Sequence, residues 1–226
     1  MLSILFKSPW EKVMELRSDR AYNKNHFDFL EWGEIPYSEA EKQQLQLVEE
    51  VFSGQKDKVI LCSHPPVVTL GRASQKHDIK GWQGEVHYVS RGGRATYHGP
   101  GQVVIYPIWN LKKERPYLRA RDVHAYLRFL ESLCKEGLCH LGLSPVVRET
   151  GIWVNNKKVI SIGIAVRKWV TYHGVAINVK KDQGAFSGIR PCGYEPSQMT
   201  CLEDLLQKTI STEEIKNLFK TIFCQL

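Results

Sequence analysis

Long apolar runs are missing from this chain of 226 residues. None approaches the roughly 18 residues of a membrane-spanning helix, and the opening MLSILFKSPWEK is too short an apolar run for a signal-peptide core. Cysteine is sparse and unpatterned: six, at 62, 134, 139, 192, 201 and 224, form no disulfide framework. No CxxC pair exists, and Cys134, Cys139 and His140 have no evident fourth ligand, so no metal is expected. These absences point to a reduced, cytoplasmic protein. Also missing are the GxxxxGK[ST] loop of nucleotide phosphate sites and a GxGxxG opening a helix, as well as internal repeats and low-complexity segments.

What is present is an ordinary globular composition, 42% hydrophobic, with an excess of positive charge: Lys+Arg 31 against Asp+Glu 24, formally +7. Such a balance favours acidic partners without choosing among them. One domain over residues 1–226 is the default reading at this length. Residues 1–25 show no clear period and read as a short helix or a loose arm.

Ser38 and Glu41 have the spacing of a capping box, followed by Tyr37, Ala40, Leu47, Val48, Val51 and Phe52 near one helical face and by Gly54 as a stop. Lys58 to Cys62 reads as a buried strand, Pro65-Pro66 as a break and VVTLG as a further extended piece. Val86 to Ser90 reads as a short strand. Val103 to Trp109 reads as another, with Pro107 suggesting an edge or a bulge. Asp122 can cap a helix carrying Val123, Tyr126, Leu127, Leu130, Leu133 and Cys134 as far as Gly137.

Ile152 to Val154, Lys158 to Val166 and Trp169 to Val179, joined by turns at Asn155-Asn156 and Arg167-Lys168, form an antiparallel meander pattern. Thr200/Glu203 and Ser211/Glu214 then have the spacing of capping boxes for two closing helices. Strands and helices mix without strict alternation, so the fold class is α+β with a mixed β-sheet and flanking helices.

Two stretches could carry chemistry. RGGRATYHGPGQ, between two strand patterns, has glycines that let backbone approach a ligand closely, or it is a tight surface connection. In SGIRPCGYEP, Cys192 sits between Pro191 and Gly193; it is either an exposed reactive thiol or an inert one. A free thiol is only a few per cent ionised at neutral pH, so a catalytic Cys192 needs a neighbouring cation or base. The candidates are His98, His173 and Lys158, the last also readable as an exposed charge at a strand end.

Taken together, RGGRATYHGPGQ, KVISIG followed by TYHGVAINV, and IRPCGY, supported by HPPVVTLGR at His64 to Arg72, resemble the octanoyl-[acyl-carrier-protein]:protein octanoyltransferases of lipoate biosynthesis. The motifs keep the family's order from about Tyr37 to Leu206 and leave residues 1–25 outside. The resemblance implies a fold shared with lipoate-protein and biotin-protein ligases. It also implies transfer of an octanoyl group from octanoyl-acyl carrier protein to a lysine of an apo lipoyl domain or of the glycine-cleavage H protein, with no ATP and no cofactor.

Residue by residue, Cys192 matches the family's acyl-accepting nucleophile and Lys158 its partner. Arg91, Gly92, Gly93, Arg94, Ala95, Thr96, Tyr97 and His98 match positions lining the acyl site, as do Ser161, Ile162 and Gly163 and the run Gly174, Val175 and Ala176. The excess of positive charge fits such partners, because acyl carrier proteins and lipoyl domains are typically acidic. One departure is MTCLEDLL after the nucleophile, where Cys201 leaves an oxidised Cys192–Cys201 pair open.

Three other readings compete. An ATP-dependent ligase on the same fold does not need the loop cysteine. Dispersed basic residues and the lack of an RNA-binding aromatic motif argue against a nucleic-acid module. Retention of both Cys192 and Lys158 argues against an inactive scaffold.

Overall fold

The computed structural model describes residues 27–149 and 151–226, so the expectation for residues 1–25 lies outside the described part. Strands β1 (Phe27–Glu34), β2 (Asp57–Ser63), β6 (Gln102–Ile108), β7 (Val146–Val147), β8 (Gly151–Val154), β9 (Lys157–Arg167) and β10 (Val170–Asn178) form a seven-stranded sheet in the order β1-β2-β6-β10-β9-β8-β7. β1 and β2 run parallel and the other pairs antiparallel, which makes the sheet mixed. A second sheet of three short strands, β3 (Val67–Leu70), β4 (Glu85–Tyr88) and β5 (Ala95–His98), has the order β4-β3-β5. Helices α1 (Tyr37–Phe52), α2 (Val123–His140), α3 (Leu202–Leu206) and α4 (Thr212–Cys224) flank them. The class is α+β. Among the described residues no helix is long and apolar enough to cross a membrane.

Strand periodicity divides the core in two. On β6, Val103 and Ile105 enter a cluster with Phe129 and Leu130 of α2 and Phe219 of α4. Val104, Tyr106 and Ile108 enter another with Ala40, Val48 and Val51 of α1. α1 does not extend over the whole of that second face, and the small sheet lies beside it, leaving the space that becomes the candidate site.

Several local expectations need correction. Pro107 does not mark an edge, because β6 lies between β2 and β10. Regular β6–β10 pairing stops at Ile105–Val175, and the Thr171 hydroxyl fills the gap, donating to the Pro107 carbonyl at 2.8 Å and accepting the Trp109 N–H at 2.9 Å. A proline, which has no N–H for the ladder, fits a central strand where the regular pairing on one side has stopped. Gly137 does not end α2, which runs on to His140. A Cβ there would lie 2.6 Å from the Phe219 ring, so this glycine permits close helix packing.

Neither Ser38 nor Thr200 caps a helix. The N-caps are Pro36 and Cys201, without side-chain cap bonds. Glu41 turns toward His173 instead, and the Glu203 carboxylate accepts the Lys181 N–H. The Asp122 cap and the Ser211/Glu214 box form as expected. In the meander, Asn155 and Asn156 occupy positive φ as expected, whereas the second turn is centred on Lys168 and Trp169, one residue later than the pattern suggested.

Candidate active site

The glycine-rich stretch is not one loop. Its second half is β5, which splits it by parity: Thr96 and His98 face the large sheet, while Ala95 and Tyr97 face away, into a cluster with Val68, Leu70 and Ile189. The first half, Arg91 to Arg94, crosses over the large sheet and is tied down where the Gly92 N–H donates to the Ile164 carbonyl at 3.0 Å. Beneath it lies a cavity of about 310 Å³. Its roof is Arg91, Gly92, Gly93 and Arg94, and its floor includes Ser161, Ile162 and Gly163 of β9 and Gly174, Val175 and Ala176 of β10. Thr96, His98 and Cys192 also border it.

Arg91 holds the roof in shape. Its buried guanidinium donates to the carbonyls of Gly92, Arg94 and Thr69 and to the Thr69 hydroxyl, at 2.7 to 3.0 Å. Buried cations need such partners. Arg94 pairs with the buried Asp78, its Nε 3.2 Å from the carboxylate. The Asp78 carbonyl accepts the Arg190 N–H at 2.7 Å, so the roof and the cysteine turn share one anchor.

Cys192 stands in a single tight turn, Pro191–Gly193, at φ 55° and ψ 19°. The left-handed region is unfavourable for cysteine, and such strain persists only where neighbours enforce it. Here Pro191 restricts φ before it. Gly193 follows at φ 86°, where a Cβ would meet the Arg94 guanidinium at 2.4 Å. The half-buried thiol lies 3.7 Å from the Thr96 hydroxyl and close enough to the Lys158 ammonium to feel its charge. Burial alone would push the thiol up. Lys158, Thr96 and Arg91 outweigh it and hold Cys192 below the ordinary thiol value.

Lys158 is buried, not an exposed strand end. Strict alternation along KVISIG would put it on the face of Ile160 and Ile162, toward α2. Instead the β8–β9 ladder pairs Ile152 with Ile160 and Trp153 with Lys158, which leaves Val159 as a bulge. Val159 and Ile160 both enter the large core, and Lys158 emerges on the opposite face beside Cys192. Its stem runs over Gly151, where a Cβ would lie 2.3 Å from Cε, and its Nζ sits 6.0 Å from the centre of the Tyr194 ring. The Tyr194 hydroxyl, pushed up to about 12 by burial and Glu149, donates to the Glu149 carboxylate at the cavity mouth.

The two candidate histidines line the same cavity but pair with other side chains. His98 stacks on Tyr37 with ring centres 5.7 Å apart and bonds Gln102 at 3.2 Å. His173, at φ 57°, faces the Tyr37 hydroxyl at 3.3 Å while its backbone N–H donates to the Gln44 side-chain carbonyl at 2.8 Å. Burial, with Arg91 nearby, holds His98 well below the usual imidazole range and His173 at about 3. Cys192 and Cys201 are both free thiols, and Cys201 borders a separate cavity.

Sequence reasoning missed Tyr37, Val104, Tyr106, Glu149 and Tyr194, which also border the main cavity. Only Val104 and Tyr106 carried a signal, the shared parity on β6.

A mixed sheet carrying a roofed cavity, with a low-held cysteine thiol beside a buried lysine, has the parts that an acyl-handling enzyme uses. Residues 36–224 match the model for the lipoyl protein ligase A/B catalytic domain. The chain is 42% identical over 207 residues to an octanoyltransferase of Bdellovibrio bacteriovorus, covering 85% of this chain and 94% of that one. It is 41% identical over 192 residues to an octanoyltransferase of Citrifermentans bemidjiense, covering 84% and 92%. Among solved structures, a lipoate-protein ligase A bound with ATP superposes with a TM-score of 0.66 at 16% identity, over 88% of this chain and 84% of that one. The chain belongs to the lipoyl protein ligase A/B catalytic-domain family and, within it, to the octanoyltransferases, which are acyltransferases.

Proposed function

We propose that the chain moves an octanoyl group from octanoyl-acyl carrier protein to a lysine of an apo lipoyl domain or the glycine-cleavage H protein, through a thioester on Cys192. The observation that carries this reading is the pairing of Cys192 with Lys158 beside a largely apolar cavity. The Cys192 thiolate attacks the donor carbonyl carbon, a C–S bond forms, and the bond to the phosphopantetheine sulfur breaks. The Lys158 ammonium gives its proton to that departing thiolate and becomes a neutral amine.

The acceptor lysine, arriving as a free amine, then attacks the thioester. A C–N bond forms, the bond to Cys192 breaks, and Lys158 takes the proton the nitrogen sheds. Thiolate and ammonium are thereby both restored. Thioester exchange is close to even, and amide formation draws the sequence forward, so no ATP enters. Arg91 to Arg94 and the two glycine-containing strand segments enclose the acyl chain in this reading.

Incubation with octanoyl-acyl carrier protein and an apo lipoyl domain, without ATP, tests the proposal. Octanoylated lipoyl domain, together with an octanoyl adduct on Cys192 when the acceptor is omitted, is the expected result. Product only from free octanoate and ATP would overturn it.

A further inference from the structure

The far end of the cavity is built differently from the end that holds the thiol. Thr96, which touches Cys192, and His98 lie on the same face of β5, two residues and therefore about 7 Å apart. Beyond Thr96 the cavity is closed by Tyr37, His98 and His173. The Tyr37 ring stacks on His98 and its hydroxyl bonds His173. His173 is fixed in turn by Gln44, and His98 by Gln102. Tyr106 beside them accepts or donates at 2.8 Å to His64, which is anchored on the Ile35 carbonyl. All of these side chains are buried.

Resting on the thioester chemistry proposed above, we propose that Tyr37, His98 and His173 form the stop that limits the acyl chain the cavity accepts, admitting medium-length chains and rejecting long ones. An acyl group on Cys192 has its carbonyl near Thr96, and its tail runs along the β5 face toward His98. A chain whose methyl end falls short of the wall lies against Val104 and the small residues of the floor. A longer one must push between Tyr37 and its partners and leave the Tyr37 hydroxyl and the Nδ1 of His173 without their mutual hydrogen bond in a dry place. Unpaired buried polar groups are strongly unfavourable. The histidines are held neutral, so the wall tolerates an apolar chain end up to contact.

The test uses the full chain and a series of acyl thioesters of N-acetylcysteamine, from butanoyl to tetradecanoyl, with the rate of Cys192 acylation followed by intact mass. In the wild type the rate falls steeply between octanoyl and dodecanoyl. Tyr37→Phe, which removes only the hydroxyl, raises the dodecanoyl-to-octanoyl rate ratio by about fivefold. Tyr37→Leu, which also removes the ring that blocks the way, raises it further. An unchanged ratio in Tyr37→Phe and in a folded Tyr37→Leu overturns the inference while leaving the thioester reading intact. Absence of any Cys192 adduct in the wild type, with every donor, overturns the thioester reading and the stop with it.

Discussion

At one end of the cavity Cys192 is held below its ordinary value, whereas at the other His98 and His173 are held below theirs. The shifts share a direction but have opposite consequences for charge. A nearby cation favours whichever form is more negative: the thiolate for cysteine and the neutral ring for histidine. Burial opposes the cation at Cys192 and reinforces it at the histidines. Arg91 acts on all three residues, but only Cys192 also has Lys158. One environment thus favours the charged form of the thiol at one end and the uncharged form of the rings at the other, and a single bulge at Val159 brings the lysine to the cavity face of the sheet.

Removing that lysine has the largest expected effect. Lys158→Ala should lower octanoyl transfer by about 100- to 10,000-fold, the usual range for loss of a proton-transferring group. Lys158→Arg should retain the charge and still lose most transfer, measured as octanoylated lipoyl domain over time. Gly151→Ala comes next, because its Cβ would meet Lys158 Cε at 2.3 Å and the Ile160 carbonyl at 2.7 Å. Displacing the lysine without removing it should lower transfer by about 10- to 100-fold. The clash should also take about 1–3 kcal/mol from unfolding stability, read from urea melts.

The outline of both ends was legible in the sequence, while the feature that sets them apart was not. The Pro191-Cys192-Gly193 turn, the meander and the Asp122 helix follow from local chemistry, and each appears close to where its pattern placed it. Lys158 reads as a solvated charge because it opens the strand KVISIG; parity along that strand gives the wrong face as well, and the bulge that corrects it depends on pairing with β8 that no single strand encodes. Tyr37 reads as one more apolar position on α1; its place in the wall depends on α1 meeting β5 and β10. Ala95 and Tyr97 fell within a continuous motif, yet a strand sends alternate residues to opposite sides. Pro107 and Gly137 read by their usual local meaning as an edge or bulge and a helix end, whereas the stop in β6–β10 pairing and the Phe219 ring give them their actual ones.

Smaller effects should separate the frame from the site. Thr171→Val removes the hydroxyl that serves Pro107 and Trp109 and should lower stability by about 1–3 kcal/mol. At about 2–4 °C of Tm per kcal/mol for a chain of this size, a thermal melt resolves that change. The Cys192 alkylation profile should stay where it was.

Asp78 gives a pH signature. Burial raises its carboxyl, but Arg94 and the Gln75 and Ala95 N–H groups outweigh that and leave it below the ordinary carboxylate value. Its contribution is therefore fully present above about pH 3.9, the unfolded value, and is lost as pH falls through the lower folded value. Urea midpoints should accordingly fall less between pH 5 and about pH 3 in Asp78→Asn than in the wild type. Ser211→Ala, at the start of α4 and far from either end, should cost about 1 kcal/mol and change no kinetic property.

The most direct test of the difference between the two ends is the pH profile of Cys192 alkylation by iodoacetamide, with the modified residue identified by peptide mass, in the wild type and in Lys158→Ala. The wild-type rate should reach half its plateau below the ordinary thiol value of about 8.5, and the half-point in Lys158→Ala should move upward. Superimposable profiles would contradict the claim that Lys158, brought round by the bulge, is what makes Cys192 a nucleophile.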